Sequence, residues 1–297
     1  MGQYLSTSQA PIRKAQSMQP RAVTYESKDV PIPDDFLRGP PEKPVTCTPV
    51  PFATSDVPEY AKCYAVTLDN VVSPEECAQL IQLAEESVLP ASEDDPNQGP
   101  WRPAMIAVAP GLEGPAPGYR ESDRIVWDRQ ELTDRIWERC CRAEGLAEQL
   151  AVVRSDDGYG PLGRPAGQWE LSQINKRMRF LRYSPGQFFK PHVDGAVSYE
   201  EDGSSFQTQY TVHLYLNDSA EVSPGSKLVG GATGFLSRDR KRRIDINPKG
   251  GSVLIFQHRR LLHEGAKVKK GQKFTVRMDV LYKWVEDAAP DVVPDAA

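Results

Sequence analysis

A chain of 297 residues fits one domain of roughly 200–230 residues with tails better than two full domains. Hydrophobic residues make up 39% of it, enough for a sizeable core, and the net charge of -5 argues against a protein that holds nucleic acid by its overall field. The five cysteines follow neither a disulfide framework nor a CxxC zinc pattern, and no apolar run approaches a membrane span or a signal core. A reducing compartment, cytoplasm or nucleus, is the expectation.

Residues 1–58 hold 10 of the 26 prolines and few periodic apolar positions, so they read as a disordered or extended Pro-rich arm. Met1-Gly-Gln-Tyr-Leu-Ser6 fits the N-myristoylation pattern with Gly2 as acceptor. Arg13, Lys14, Arg21 and Lys28 against Glu26 give residues 1–28 a local charge of +3, which would add to a membrane-surface contact by an acylated Gly2. Order is expected from about Tyr60, giving a domain over 59–285 and an acidic tail over 286–297.

Tyr64-Ala-Val-Thr-Leu68 reads as a strand. Ser73-Pro-Glu-Glu76 then supplies an N-cap, a proline at the first helical position and a capping-box glutamate. The helix it opens carries Cys77, Leu80, Ile81, Ala84 and Val88 on one face, and a second helix over about 130–147 carries Leu132, Ile136, Cys140 and Ala143. Pro- and Gly-rich loops are expected over 90–119 and from Ser155 to Gln168. Trp101, Trp169 and Tyr119 are candidates for a substrate cleft, but aromatic residues more often pack in a core.

From residue 170 the pattern turns to strands. Arg177–Tyr183, Tyr210–Leu216, Gly251–Phe256 and Phe274–Tyr282 are β-branched or aromatic runs bounded by Ser184-Pro-Gly186, Asn217-Asp218 and Asn247-Pro-Lys-Gly-Gly251. Strands following two helices indicate an α+β chain that ends in a barrel or jelly roll. Arg238-Asp-Arg-Lys-Arg-Arg243 is expected to be a solvated hairpin loop. Of Asn175, Arg177 and Arg179, an arginine facing the cleft and a surface ladder are equally compatible with the pattern.

His192-Val-Asp194 places an imidazole and a carboxylate on one face, because residues i and i+2 of a strand point the same way. Among only four histidines, His263 after a hydrophobic strand is the best third donor. His213 on an alternating strand is expected to be packed, and His258 beside Arg259 and Arg260 to be a solvent-facing turn. Two histidines and a carboxylate on one side of a metal leave open positions, which suits a non-haem iron(II) oxygenase; a zinc hydrolase is the chemical rival.

The residues around this trio resemble the iron(II)/2-oxoglutarate dioxygenases of the prolyl 4-hydroxylase type. Arg182-Tyr-Ser-Pro-Gly-Gln-Phe-Phe-Lys-Pro-His-Val-Asp-Gly195 is similar to the family's tyrosine, glycine and HxD layout. Gly230-Gly-Ala-Thr-Gly-Phe235, Pro248-Lys-Gly-Gly-Ser-Val-Leu-Ile-Phe256 and His263-Glu-Gly-Ala-Lys-Val-Lys-Lys-Gly-Gln-Lys273 resemble its three following motifs, in the same order. Leu68-Asp-Asn-Val-Val-Ser-Pro-Glu-Glu76 resembles its opening strand and helix, so the likeness spans about residues 62–283, interrupted at 218–229.

The resemblance implies a double-stranded β-helix (jelly roll, cupin-like) with flanking N-terminal helices. It implies iron(II) on His192, Asp194 and His263, with 2-oxoglutarate and O2 as cosubstrates; ascorbate is compatible with it. Lys273 stands at the family's place for the cation that pairs the distal carboxylate of 2-oxoglutarate. Tyr183 matches the tyrosine that assists it. Arg277, four residues along the same strand, is a second candidate. The implied activity is 2-oxoglutarate-dependent hydroxylation of an unidentified protein or small molecule, giving succinate and CO2. A nucleic-acid dealkylase of the same superfamily and a non-catalytic binding protein on the same fold are the alternatives.

Overall fold

The computed structural model describes residues 19–90, 99–109, 111–154, 161, 164 and 166–287. Gly2, most of the Ser155–Gln168 stretch, and Asp291 and Asp295 of the acidic tail lie outside the described residues.

Two antiparallel sheets define the molecule. The larger runs in the order Thr46–Pro49, Ala65–Asp69, Val253–Gln257, Ser204–Tyr215, Lys273–Glu286, Arg177–Tyr183, Asp123–Asp128 and Arg102–Pro103. The smaller runs Arg243–Ile246, Thr233–Leu236, His263–Gly265, Phe188–His192 and Arg120–Glu121. Most strand neighbours are far apart in sequence, and the two sheets face each other as a jelly roll. Across the gap, Phe235 meets Phe256 edge-on at 5.5 Å, and the Tyr215 hydroxyl donates to Thr233 Oγ1 at 2.8 Å.

Strand alternation sorts the residues of the larger sheet onto its two faces. Val212, Leu214, Val276, Met278, Val280, Met178 and Phe180 point outward into the main core, where they meet Cys77, Leu80 and Ala84 of the helix Pro74–Glu86 and Leu132, Ile136 and Cys140 of the helix Gln130–Cys140. The intervening positions point toward the smaller sheet, and many of them are polar: Arg179, Thr211, His213, Lys273, Thr275, Arg277 and Asp279. That polar interior face is where the site is built.

The first helix begins as its sequence dictates. Ser73 Oγ accepts from the Glu76 N–H at 3.2 Å, and Glu76 accepts from the Ser73 N–H at 2.8 Å. The second helix is shorter than the pattern over 130–147 suggests. It stops at Cys140, and a separate turn, Leu146–Leu150, follows Gly145, whose φ of 74° is left-handed and cannot continue a helix.

Order begins earlier than Tyr60. The described part of the arm runs extended and packed, burying Val30, Phe36 and Leu37 in the helix-side core and Val50, Phe52 and Val57 in the inter-sheet core. Helix arginines staple its backbone: Arg129 donates to Val30 O at 2.9 Å, Arg135 to Phe36 O at 2.5 Å and Arg139 to Gly39 O at 3.2 Å. Apolar residues interspersed among the prolines supply the burial that a composition count overlooks.

Gly251 ties the approach of the first helix to the larger sheet. Its carbonyl accepts from Val71 and Val72 N–H at 3.1 and 3.2 Å, and its own N–H donates to Tyr215 O at 2.9 Å. Its φ is 78°, and an added Cβ would lie 1.8 Å from the Val72 carbonyl oxygen. Gly251→Ala combines left-handed strain with a backbone collision, so chemical denaturation should show a loss of more than ~2 kcal/mol.

Candidate metal and cosubstrate site

Three donors converge between the sheets. His192 ends the strand Phe188–His192, Asp194 follows two residues later, and His263 opens the strand His263–Gly265. His192 and His263 are direct cross-strand partners in the smaller sheet. The donor atoms of all three lie within 4.8 Å of one another. His192 Nε2 is 3.6 Å from Asp194 Oδ1, and His263 Nε2 is 3.7 Å from Asp194 Oδ2.

Each ring is aimed by its other nitrogen. His192 Nδ1 sits 2.8 Å from Lys190 O and His263 Nδ1 sits 3.1 Å from Leu261 O. A carbonyl there requires the proton on Nδ1, which leaves both Nε2 lone pairs facing the shared carboxylate. Burial pushes the His192 pKa down to about 3, helped by the neighbouring His263, and burial lowers His263 as well. Burial alone would raise Asp194, but Arg277 and the surrounding histidines hold it well below the usual carboxylate range. All three groups are thus unprotonated donors at neutral pH, the form a divalent metal takes.

Asp194 is itself held in place. Thr211 Oγ1 donates to its Oδ2 at 2.6 Å, and Arg277 lies 3.3 Å from the same oxygen. Arg277 also contacts Asp279 Oδ1 at 3.0 Å, while Arg179 takes Asp279 Oδ2 at 2.7 Å. His258 completes this network, with Nε2 3.3 Å from Asp279 Oδ1. It is only 1% exposed, not a solvent-facing turn, because the inward carboxylate of Asp279 gives its ring a partner.

Lys273 has a different environment. Its side chain is buried, and its ammonium lies 5.5 Å from the ring centres of both Tyr183 and Tyr215. Tyr183 is its direct cross-strand partner, so the two side chains share a face. No carboxylate pairs with Lys273 among the described residues, and burial pulls its pKa down to about 7. Of the two candidate anchors, Arg277 is occupied by carboxylates and Lys273 is not.

These groups line one cavity of about 320 Å³. A hairpin formed by Ile106–Ala109 and Leu112–Gly114, inside the stretch expected to be loop, contributes Ala107 and Glu113 to its wall. His213 is half-buried against Tyr215 beside the cluster, outside the three donors. Trp101 belongs to the core, its indole N–H bonded to Glu85 at 2.6 Å, and Trp169 packs on Trp284. Tyr119 stands edge-on to Phe189, whose ring stacks on His192 at 3.7 Å. The basic run Arg238–Arg243 makes the exposed turn before the strand Arg243–Ile246, with Arg242 paired to Glu59.

Residues 178–282 match the family model of the 2OG-Fe(II) oxygenase superfamily. That matched stretch resembles a 2OG-Fe(II) oxygenase domain. All three donors, Tyr183, Lys273 and Arg277 fall within it.

Solved structures similar to the chain include a viral collagen prolyl hydroxylase from Paramecium Bursaria Chlorella virus-1, in a 2OG complex. It is 19% identical with a TM-score of 0.42, over 73% of this chain and 96% of the other. A Pseudomonas putida prolyl-4-hydroxylase is 14% identical with a TM-score of 0.42, over 80% and 100%. A Trichoplax adhaerens prolyl hydroxylase, in complex with a hypoxia inducible factor oxygen degradation domain peptide fragment, is 15% identical with a TM-score of 0.45, over 78% and 89%. No curated protein matches the chain.

Sequence reasoning missed Thr211, Asp279, Arg120 and Arg124, while Arg179, left open between cleft and surface, lines the cavity. Thr211 and Asp279 had a usable signal: they alternate in phase with His213 and Arg277 on strands whose other face is apolar.

Proposed function

We propose that the chain hydroxylates a C–H bond of a primary substrate, consuming 2-oxoglutarate and O2 and releasing succinate and CO2. The observation that carries this reading is the pairing, in one cavity, of three unprotonated donors with a buried ammonium that lacks a counterion among the described residues. A buried cation without a partner is costly, and the distal carboxylate of 2-oxoglutarate would remove that cost.

In this reading His192, Asp194 and His263 hold iron(II), which supplies the O2 and redox chemistry when bound. The chain's own residues bind, orient and exclude water. Lys273 receives the distal carboxylate, with the Tyr183 hydroxyl beside it. Thr211 and Arg277 fix the rotamer of Asp194. Phe189 covers one face of the His192 ring, stacked at 3.7 Å, and limits water there.

The test is succinate release by anaerobically iron-loaded protein given 2-oxoglutarate and O2, with zinc as control. Iron should support turnover and zinc should not, because zinc binds the same donors without redox chemistry. Equal activity with zinc would return the hydrolase reading. Iron and 2-oxoglutarate binding with no succinate from any peptide, amino acid or metabolite offered would favour a binding protein.

A further inference from the structure

The cavity carries more positive charge than its carboxylates neutralise. Five basic side chains line it: Arg120, Arg124, Arg179, Lys273 and Arg277. Arg124 is locked to Glu113 at 2.5 Å. Arg179 and Arg277 share Asp279, and Arg277 also meets Asp194. Glu264 is turned to Arg243, 2.6 Å away at the edge. Among the described residues, three carboxylates therefore serve five cations. A divalent metal and the 2-oxoglutarate dianion cancel each other, so the excess survives both.

Among the described residues, two of these cations have no carboxylate: Lys273 and Arg120. Lys273 is assigned above to the cosubstrate. Among the described residues Arg120 finds only neutral and distant acceptors, Ser122 Oγ at 3.5 Å and Met105 O at 3.4 Å, while its guanidinium lies 4.7 Å over the Phe189 ring. Burial and the neighbouring Arg124, Arg277 and Arg179 press its pKa down to about 10, so it stays charged at neutral pH in surroundings that disfavour charge.

Its position is specific. Arg120 is the cross-strand partner of Phe189, and the Phe189 ring stacks directly on His192. The guanidinium is thus one aromatic ring away from the donor cluster, on the strand next to the one that carries His192.

We propose that Arg120 binds a carboxylate of the primary substrate, and that this substrate is a small carboxylic acid such as a free amino acid. The inference rests on the 2-oxoglutarate reading and names its substrate class. A single free guanidinium offers a planar fork that matches one carboxylate with two parallel hydrogen bonds. A phosphate would call on more donors, and Arg124, the nearest candidate, is already tied to Glu113. The volume of about 320 Å³ must also hold the cosubstrate, which leaves room for a small molecule or a single side chain. A carboxylate held at Arg120 places the carbons next to it alongside Phe189, toward the donors.

The experiment uses anaerobic, iron-loaded protein saturated with 2-oxoglutarate, titrated calorimetrically. The probes are the common free L-amino acids, their C-terminal amides, an end-capped acidic hexapeptide and an end-capped neutral Pro-rich peptide. At least one free acid should bind, its amide roughly 10-fold or more weaker, because the amide forfeits the charge-assisted pair. Arg120→Gln should erase that preference, and Arg120→Lys, which keeps charge but loses the fork, should restore part of it.

Cosubstrate affinity measured in the same variants shows that the fold and the 2-oxoglutarate site persist. Binding of the acidic hexapeptide through Arg120, without any free acid, would keep the carboxylate chemistry and move its source to a polypeptide. Binding of the neutral peptide equally by wild type and Arg120→Gln, or of no anionic probe at all, would overturn the proposal while 2-oxoglutarate still bound. Failure of 2-oxoglutarate itself to bind would instead remove the reading beneath it.

Discussion

Lys273→Met should make the protein without cosubstrate more stable and, at the same time, nearly unable to bind 2-oxoglutarate. The two effects have one cause. Lys273 is buried with no carboxylate among the described residues to pair it, and its pKa has fallen from 10.5 to about 7. A pKa lowered on folding means that the unfolded chain binds the proton more tightly, which at pH 7 costs the fold up to about 4 kcal/mol. Methionine fills similar volume without charge, so thermal melting should rise by roughly 5–10 °C. The wild-type penalty is absent above pH 10.5, grows as pH falls to about 7, and is constant below that. Wild-type stability should therefore carry an upward slope between pH 7 and 10.5 that the Met variant lacks.

Cosubstrate binding reverses the sign. Pairing with a carboxylate returns Lys273 toward its ordinary value, so binding takes up a proton above pH 7. The wild-type affinity for 2-oxoglutarate should fall about tenfold per pH unit from pH 7 upward, and calorimetry in buffers of different ionisation enthalpy should register the uptake. Lys273→Met should weaken 2-oxoglutarate ~100-fold or more, from a loss of ~3–5 kcal/mol when one partner of a buried pair is removed. Arg277→Met is the contrast. It strips Asp194 and Asp279 of their shared partner, so it should cost stability and metal affinity first. If the Lys273 variant kept its cosubstrate affinity while the Arg277 variant lost it, the anchor would be Arg277.

What could be read from the sequence was set by local periodicity. His192 and Asp194 are two residues apart on an extended chain, so their shared face needs no tertiary knowledge. The same period put Lys273 and Arg277 on one side of their strand. The capping box at Ser73 and Glu76 is equally local, and it formed as written. Arg120 shows where this reach ends. It lies in a Pro- and Gly-rich region with no period, and only its pairing with Phe189, 69 residues away, brings it to the cavity. His258 fails for a similar reason: its neighbours Arg259 and Arg260 suggest solvent, but the partner that buries it, Asp279, is on a different strand. In the arm, the prolines that suggested disorder sit among Val30, Phe36, Leu37 and Phe52, whose burial depends on surfaces formed by residues far along the chain.

Asp194→Ala should abolish divalent metal binding and all succinate formation while the jelly roll stays folded. Among the described residues the carboxylate is the one anionic donor within about 3.7 Å of both imidazoles, so its loss leaves two neutral ligands and no charge to hold the ion. The fold has reasons to survive: Arg277 retains Asp279 at 3.0 Å, and the core on the helix side of the larger sheet is untouched. Some stability will go, because Asp194 is held ionised by Arg277 and its contribution is present above the ordinary carboxylate pKa, being lost only as pH falls through its depressed folded value. The clean readout is the response of the melting temperature to manganese or iron(II) under nitrogen. A metal at about a hundred times its Kd adds about 2.7 kcal/mol to wild type. Asp194→Ala and His263→Ala should show no such shift. His213→Gln is the discriminating control, since the His213 Nε2 is shielded from solvent beside the cluster with no hydrogen-bond partner among the described residues, yet His213 lies outside the three donors. It should keep the full metal shift. A His213 variant that lost it, or an Asp194 variant that retained it, would mean that the ion sits on a different set of donors and would move the proposed chemistry with it.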